Sequence, residues 1–368
     1  MHCRTPRVRS LTPEVLLCRR RHGVCRMQSE AADETAASTY HVPVMCAEAV
    51  EWLVGDPSGT YVDATLGGGG HSAALLDVLA PQGGHLIGVD RDPDALQAAG
   101  ARLAAHVDAG HATLVRSNFG ALAEALRGVP RVGGADGCLD GILVDLGVSS
   151  HQLDEAARGF SYMHDGPLDM RMDQAAPTGG RGGAAALTAE VILNQWPADA
   201  IADVLFKYGE ERESRRIARA IVAARPLSTT GELTKVLRTA GSKREPKEVT
   251  RRLARCYQAL RIEVNSELTE LESILHAANR LLKPGGRLAL MSYHSLEDRR
   301  VKRFLRSGTF SDVPPPQDPF GNVLAPWKPL TRRAVVAGAA EVDANPRARS
   351  ARLRVGERTE HDAPAGVR

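Results

Sequence analysis

No stretch of about 18 uncharged apolar residues occurs anywhere in the chain, so the sequence offers no segment that reads as a bilayer-spanning helix. Paired cysteines are missing too. The six cysteines, Cys3, Cys18, Cys25, Cys46, Cys138 and Cys256, are scattered, with neither metal-ligand spacing nor a short disulfide framework. Scattered thiols in a chain of this size fit a reducing, cytoplasmic compartment, with no zinc and no redox role expected. Net charge is also small. The formal +3 is concentrated at the amino end, where residues 1–30 carry seven Arg against two Glu and leave the remaining chain slightly acidic. Total charge therefore decides nothing about a nucleic-acid partner, and only local patches can. The leading segment lacks a secretory apolar core, because Leu16 and Leu17 are followed at once by Cys18 and Arg19. Residues 1–38 read as a disordered tail, or as sequence upstream of a true start at Met27, and are set apart from the fold.

What is present is an alternation of apolar strands and amphipathic helices. Strands are expected at Thr60–Thr65, His85–Asp90, Thr113–Val115, Leu139–Asp145 and Arg287–Ser292, with a last one at Ala351–Val355. Each is a nearly unbroken apolar run, the signature of a parallel sheet covered on both faces. Helices are expected after the first two strands and over Leu260–Leu282. From about Glu155 to Arg255 the pattern is helical after a Gly179–Gly183 break, with helices over 189–194, 198–208, 213–224 and 231–240. This divides the chain into an extension (1–38), a first core segment (39–154), a helical insertion (155–258), a second core segment (259–356) and a disordered tail (357–368).

Open sheets of this kind bind ligands beyond the carboxyl ends of their strands, and that is where the polar residues gather. Gly67-Gly68-Gly69-Gly70 follows the first strand and leads into a helix, where a chain without Cβ atoms can approach a ligand closely. Ser72 stands where the dinucleotide fingerprint wants its last glycine. Asp90 ends the second strand at a position suited to both ribose hydroxyls of an adenosine cofactor, although a helix cap is its alternative role and Asp92 competes for that. These features fit either a dinucleotide or S-adenosylmethionine. The fourth strand ends in Asp145, followed by polar residues through Gln152, and no hydride-transfer relay is evident.

Two further features bear on the substrate. Arg158–Asp173 mixes aromatic, Met, Arg and Asp residues. It reads equally as a base-stacking surface or as a buried connector packing Phe160, Met163, Leu168 and Met170. Two basic zones, Arg299–Arg306 and Arg215–Arg255, flank the expected rim and favour RNA over a smaller acceptor.

The stretches Val62–Ser72, Val89–Asp92, Asp140–Asp173, Tyr208–Glu211, Arg261–Leu268, Leu282–Val301 and Asn345–Ser350 together resemble the RsmH (formerly MraW) family over roughly residues 40–356. The resemblance implies a Rossmann-like S-adenosylmethionine-dependent α/β methyltransferase core with an inserted helical substrate-recognition domain. It also implies methylation of the N4 amino group of a decoding-centre cytosine in 16S rRNA, within the small ribosomal subunit. It carries cofactor contacts onto Gly69, Gly70, His71, Asp90, Phe119, Asp145 and Gln152. Asp145 is expected to act on the target amine, with His294 as a second substrate contact. Departures are modest: Gly68 replaces a residue often Arg or Ala, and Glu263 stands where relatives can carry an apolar or aromatic one. The alternatives are a methyltransferase acting on another RNA or on protein, and a noncatalytic ribosome assembly factor. Monomer and homodimer both remain compatible with the basic zones.

Overall fold

The computed structural model describes residues 43–129, 131–132, 136–148, 150–173, 187–242, 245–315 and 317–362. The expectations for residues 1–38, for the Gly179–Gly183 break, for Lys243 and Arg244, and for 363–368 lie outside these.

Seven strands form one sheet: β1 (Thr60–Asp63), β2 (His85–Asp90), β3 (Ala112–Arg116), β4 (Leu139–Asp145), β5 (Leu282–Ser292), β6 (Trp327–Pro329) and β7 (Arg352–Arg358), in the order β3-β2-β1-β4-β5-β7-β6. The first five pair in parallel, and β7 runs antiparallel to both β5 and β6. The order reverses between β1 and β4, which opens a crevice at their carboxyl ends.

Adjacent strand residues point to opposite faces, and here both sets are apolar. Val62, Ile87, Val89, Ile142, Val144, Leu288 and Leu290 pack on one face with Leu271, Ile274 and Leu275. Tyr61, Leu86, Leu143, Ala289 and Met291 pack on the other with Leu53, Leu75 and Leu76. The covering helices include α1 (Cys46–Leu53), α2 (Gly70–Leu79), α3 (Pro93–Arg102), α4 (Ala104–Asp108) and α5 (Leu122–Ala125).

After α6 (Ser150–Asp154) come α7 (Ala189–Gln195), α8 (Ala198–Gly209), α9 (Ser214–Ala223), α10 (Thr230–Ala240) and α11 (Pro246–Asn265). They bury a cluster of their own around Ile192, Leu205, Ile217, Ile221, Leu233, Leu237, Leu253 and Leu260. Apolar side chains recurring three and four residues apart place these on the inner faces and leave Arg215, Arg216 and Arg219 of α9 outside. Thr229 and Glu232 fix the start of α10 as a reciprocal capping box. Contacts join the sheet and the helical assembly into one compact unit.

Two expected boundaries move. The helix foreseen over Leu260–Leu282 is two helices, because Ser266 takes a left-handed backbone (φ 51°) that ends α11 and starts α12 (Glu267–Leu281). The cut expected between 258 and 259 therefore falls inside α11. At the carboxyl end, β7 continues past Val355 through Arg358, so residues 357–362 are ordered rather than tail. Arg358 donates to the carbonyls of Asn279 and Pro326, and Thr359 to that of Ala325. The Pro284-Gly285-Gly286 turn is absorbed into β5 as a register shift opposite Leu139–Gly141.

Asn265, at the α11–α12 break, stitches the connector before α7 to the helices. Its Oδ1 accepts from the Met172 N–H at 2.8 Å, and its Nδ2 donates to the Met170 and Arg261 carbonyls at 2.8 and 2.9 Å. An alanine there leaves buried backbone groups without partners. Asn265→Ala is expected to lower unfolding free energy by about 2–3 kcal/mol, read as a shifted denaturant midpoint. A change under about 0.5 kcal/mol would remove this role.

Candidate active site

Three of the central strands end in aspartate: Asp63 on β1, Asp90 on β2 and Asp145 on β4. Asp90 and Asp145 line a cavity of about 380 Å³ at the crevice, together with Thr65, Gly67, Gly68, Gly70, His71, Phe119, Gln152, Met172 and Tyr293. That volume lies within the range of small-molecule sites.

The glycine loop forms one wall. Gly67 and Gly69 have positive φ angles of 50° and 76°. A Cβ at Gly69 would lie 3.3 Å from that of Ala99, and one at Gly70 would lie 3.1 Å from Pro43, so side chains at these two positions would be crowded. Gly69 backs against α3, while Gly70 and His71 open α2 at the cavity. The first N–H groups of a helix have no acceptor within it and face outward there.

Asp90 closes this loop. Its Oδ2 accepts from Gly67 N–H at 2.8 Å and its Oδ1 from Asp92 N–H at 2.9 Å. Burial raises its pKa, and the two N–H donors oppose that rise. The cap of α3 is Asp92, whose Oδ1 accepts from Asp94 N–H. The competition foreseen between the two aspartates is thus divided: Asp92 caps, and Asp90 faces the cavity. Gln152 also lines the cavity, with its amide donating to Asp92 Oδ2 at 3.1 Å beside the buried Arg158.

Asp145 is the second acid of the cavity. Tyr293 Oη donates to its Oδ1 at 2.8 Å, and His71 Nδ1 lies 3.8 Å from its Oδ2. Thr65 Oγ1 accepts from its backbone N–H at 2.6 Å. Burial pushes its pKa up to about 6, with His71 and Tyr293 pulling the other way. Burial and the adjacent carboxylate push the Tyr293 phenol far above its ordinary value, so it remains a donor.

Of the residues expected from the sequence, Gly70, His71, Asp90, Phe119, Asp145 and Gln152 meet at this cavity, and Gly69 supports it from behind. His294 does not line it. Its ring is 9% exposed, with Nε2 3.2 Å from Glu297 Oε1, while Glu297 Oε2 accepts from the Tyr293 and His294 backbone. Helix α13 (Ser295–Ser307) starts there, and the capping geometry turns His294 toward the protein and leaves Tyr293 to face the cavity. Glu267, His294 and Glu297 bring ligand-type atoms within 4.8 Å of one another. Both Glu267 oxygens are already taken by Arg261 at 2.7 and 2.8 Å, so that carboxylate is committed to an arginine.

Tyr293, Arg261, Asn345, Arg347 and Ser350, to which the sequence reading gave no site role, also line the cavity. The last three come from Asn345–Ser350, beside α14 (Ala339–Ala344), and Arg347 reaches Asp154 of α6 at 2.6 Å. The connector Arg158–Asp173 resolves toward packing, since Phe160, Leu168, Met170 and Met172 are buried. Met163, expected inside, is 74% exposed. The basic zones are smaller than their residue counts suggest. Arg252 is buried against the Leu237 carbonyl, Arg255 pairs with Glu211, Arg299 with Glu210 and Arg300 with Glu272.

A doubly wound sheet with a glycine loop, a ribose-type acid and a half-buried acceptor at its switch point is the arrangement of a Rossmann-like nucleoside-cofactor enzyme, and the chain is an S-adenosylmethionine-dependent methyltransferase. The chain belongs to the MraW methylase family, whose model matches residues 38–359. It is 48% identical over 320 residues to "Ribosomal RNA small subunit methyltransferase H" of Symbiobacterium thermophilum, covering 86% of this chain and 95% of that one. A protein of the same description from Chlorobaculum parvum is 48% identical over 323 residues, 86% of this chain and 97% of that one. The solved structure of Aeropyrum pernix fibrillarin with bound S-adenosyl-L-methionine aligns at a TM-score of 0.35 and 10% identity, over 84% of this chain and 73% of that one. That likeness is too distant to add to the assignment.

Proposed function

We propose that this methyltransferase acts on small-subunit rRNA, transferring a methyl group to the N4 amino group of a decoding-centre cytosine in 16S rRNA. The observation that carries this is Asp145: a half-buried acceptor aligned by Tyr293, at the same cavity as the glycine loop and Asp90. The relatives described as small-subunit rRNA methyltransferases support the substrate class.

The cavity fits the cofactor. Gly69 and Gly70 are crowded positions where a Cβ would press on Ala99 and Pro43, the opening of α2 offers N–H groups, and Asp90 presents a carboxylate for ribose hydroxyls. Phe119 and Gln152 complete the group assigned to it. When bound, S-adenosylmethionine supplies a methyl already activated by its sulfonium.

The chain's own task is to position and polarise the acceptor. The exocyclic amine of cytosine is conjugated with its ring and is a weak nucleophile. Asp145 accepts a hydrogen bond from that amine, which raises its electron density and stabilises the positive charge that develops on nitrogen. Tyr293 holds one carboxylate oxygen and leaves the other for the amine. A cytosine reaching this depth leaves its stack. The exposed Arg215, Arg216 and Arg219 of α9 and Lys302 of α13 supply phosphate contacts.

The ionised carboxylate is the working form, and its raised pKa means that it is lost as pH falls through about 6. Single-turnover methylation of small subunits is expected to be level above pH 7 and to fall about tenfold per unit below pH 6. A rate independent of pH down to 4.5 would remove Asp145 from the chemistry. For substrate, transfer of labelled methyl to purified small subunits, set against proteins and free nucleosides, tests the proposal directly. Labelling of protein alone would overturn it.

A further inference from the structure

Arg158 is a buried cation that the methyl-transfer step does not use. It opens the connector Arg158–Asp173 and is 2% exposed. Its Nη1 and Nη2 both lie 3.3 Å from Asp92 Oδ2, and Nη2 also donates to the Met172 carbonyl at 2.8 Å and the Arg171 carbonyl at 3.4 Å. A planar guanidinium can hold a carboxylate and a stretch of backbone at once, which a single ammonium cannot. Met170 N–H donates in return to the Arg158 carbonyl at 3.1 Å. Met170 and Met172 both belong to the buried cluster of helices α7–α11. The guanidinium is thus fixed to the core of the helical assembly, while its charge is set on the turn that follows β2.

Asp92 passes that hold to the cavity. It is 6% exposed, and both its oxygens are occupied. Oδ1 accepts from Asp94 N–H at 3.1 Å, and Oδ2 accepts from Arg158 and from the Gln152 amide, the latter also at 3.1 Å. The Asp92 backbone N–H, in turn, donates to Asp90 Oδ1 at 2.9 Å. The other Asp90 oxygen accepts from Gly67 N–H at 2.8 Å. Asp90 is therefore held on one side by the glycine loop and on the other by a turn that Arg158 clamps.

We infer that Arg158 is a positioning residue for cofactor binding: through Asp92 it sets the turn that aims Asp90, so that the helical assembly completes the cofactor site as well as facing the substrate. This rests on the ribose role given to Asp90 above. A buried ion pair is a poor source of net stability, and the worth of this one lies in the register it imposes between the connector and the end of β2. Coupling of this kind is reciprocal. A cofactor held by Asp90 steadies the connector in turn.

Arg158→Met keeps an extended side chain and removes the fork and its charge. With folding verified by circular dichroism, calorimetric affinity of this variant for S-adenosylmethionine is expected to fall about tenfold. Arg158→Lys reaches Asp92 or the carbonyls but not both, and is expected to lose about threefold. On an Asp90→Ala background, Arg158→Met is expected to cost less than about twofold more, because the residue it acts through is gone. In the wild type, adding the cofactor is expected to slow hydrogen exchange at the Met170 N–H by about threefold or more, although Met170 does not line the cavity. Unchanged affinity in folded Arg158→Met makes the ion pair a structural one only and overturns the inference. A loss of equal size in both backgrounds overturns it too, since the effect then bypasses Asp90. The exchange measurement needs no variant, so an Arg158→Met chain that fails to fold does not shield the inference: a Met170 N–H indifferent to the cofactor overturns it. Failure of the Asp90 assignment looks different, because Asp90→Ala itself would then bind the cofactor normally.

Discussion

Replacing Asp145 with alanine is expected to lower single-turnover methyl transfer by about a thousandfold or more, while the denaturant midpoint stays close to that of the wild type. The size follows from where the carboxylate sits. It is fixed on one oxygen by Tyr293 and on its backbone by Thr65, so its charge acts on the reacting amine without reorganising. An alanine offers no acceptor, and the Tyr293 hydroxyl is left to be solvated by whatever enters. The burial that raises its pKa makes its charge costly in the resting protein, so removing it should not unfold the chain. Cofactor affinity is expected to move far less than rate, since Asp90 and the glycine loop remain. Near-normal turnover in Asp145→Ala, assayed on purified small subunits, would rule out this assignment.

The second large effect belongs to Asp90. Asp90→Ala is expected to weaken S-adenosylmethionine binding by at least about a hundredfold, measured calorimetrically. Two charge-assisted hydrogen bonds to a ribose are worth about 1.5–3 kcal/mol each, and every 1.4 kcal/mol is tenfold in affinity. Asp90 also accepts from Gly67 and Asp92, so its removal loosens the loop that meets the cofactor. Asp90→Asn retains part of this loop bonding and is expected to fall between. Unchanged binding in the alanine variant would move the ribose site elsewhere in the cavity.

Much of this site was legible because its signals are local. Glycines followed by a helix, and aspartates ending apolar strands, each say in a few residues what the backbone does and which end of the strand faces the ligand. Gly69 shows the limit of that reading. It is required, but for packing on Ala99 as much as for contact. Tyr293 was not legible, because a tyrosine closing a strand is ordinary and its partner lies 148 positions away. His294 drew notice for its chemistry, yet Glu297 three residues on is a capping arrangement that turns the ring inward. The two basic zones misled for a similar reason. Charge counts along a chain do not reveal that Arg252 is buried or that Glu210, Glu211 and Glu272 already answer its neighbours.

The fold followed the same division. β2 and β4 fall where their apolar runs begin and end, since both faces of the sheet demand apolar side chains. The break at Ser266 was hidden because the leucines of α12 continue the helical spacing of α11, and a left-handed serine has no sequence signature. Asn345–Ser350 matched the family pattern without a role. Its place over the cavity depends on α14 packing near α1, where Glu341 accepts from Met45 N–H across 296 residues.

The measurement that bears most directly on the central claim is mass spectrometry of cytidines from small-subunit rRNA of cells lacking this gene, complemented by the wild-type protein or by Asp145→Ala. Loss of N4-methylated cytidine, restored by the wild type and not by the variant, is the predicted result. A cytidine profile unchanged by loss of the gene would contradict it.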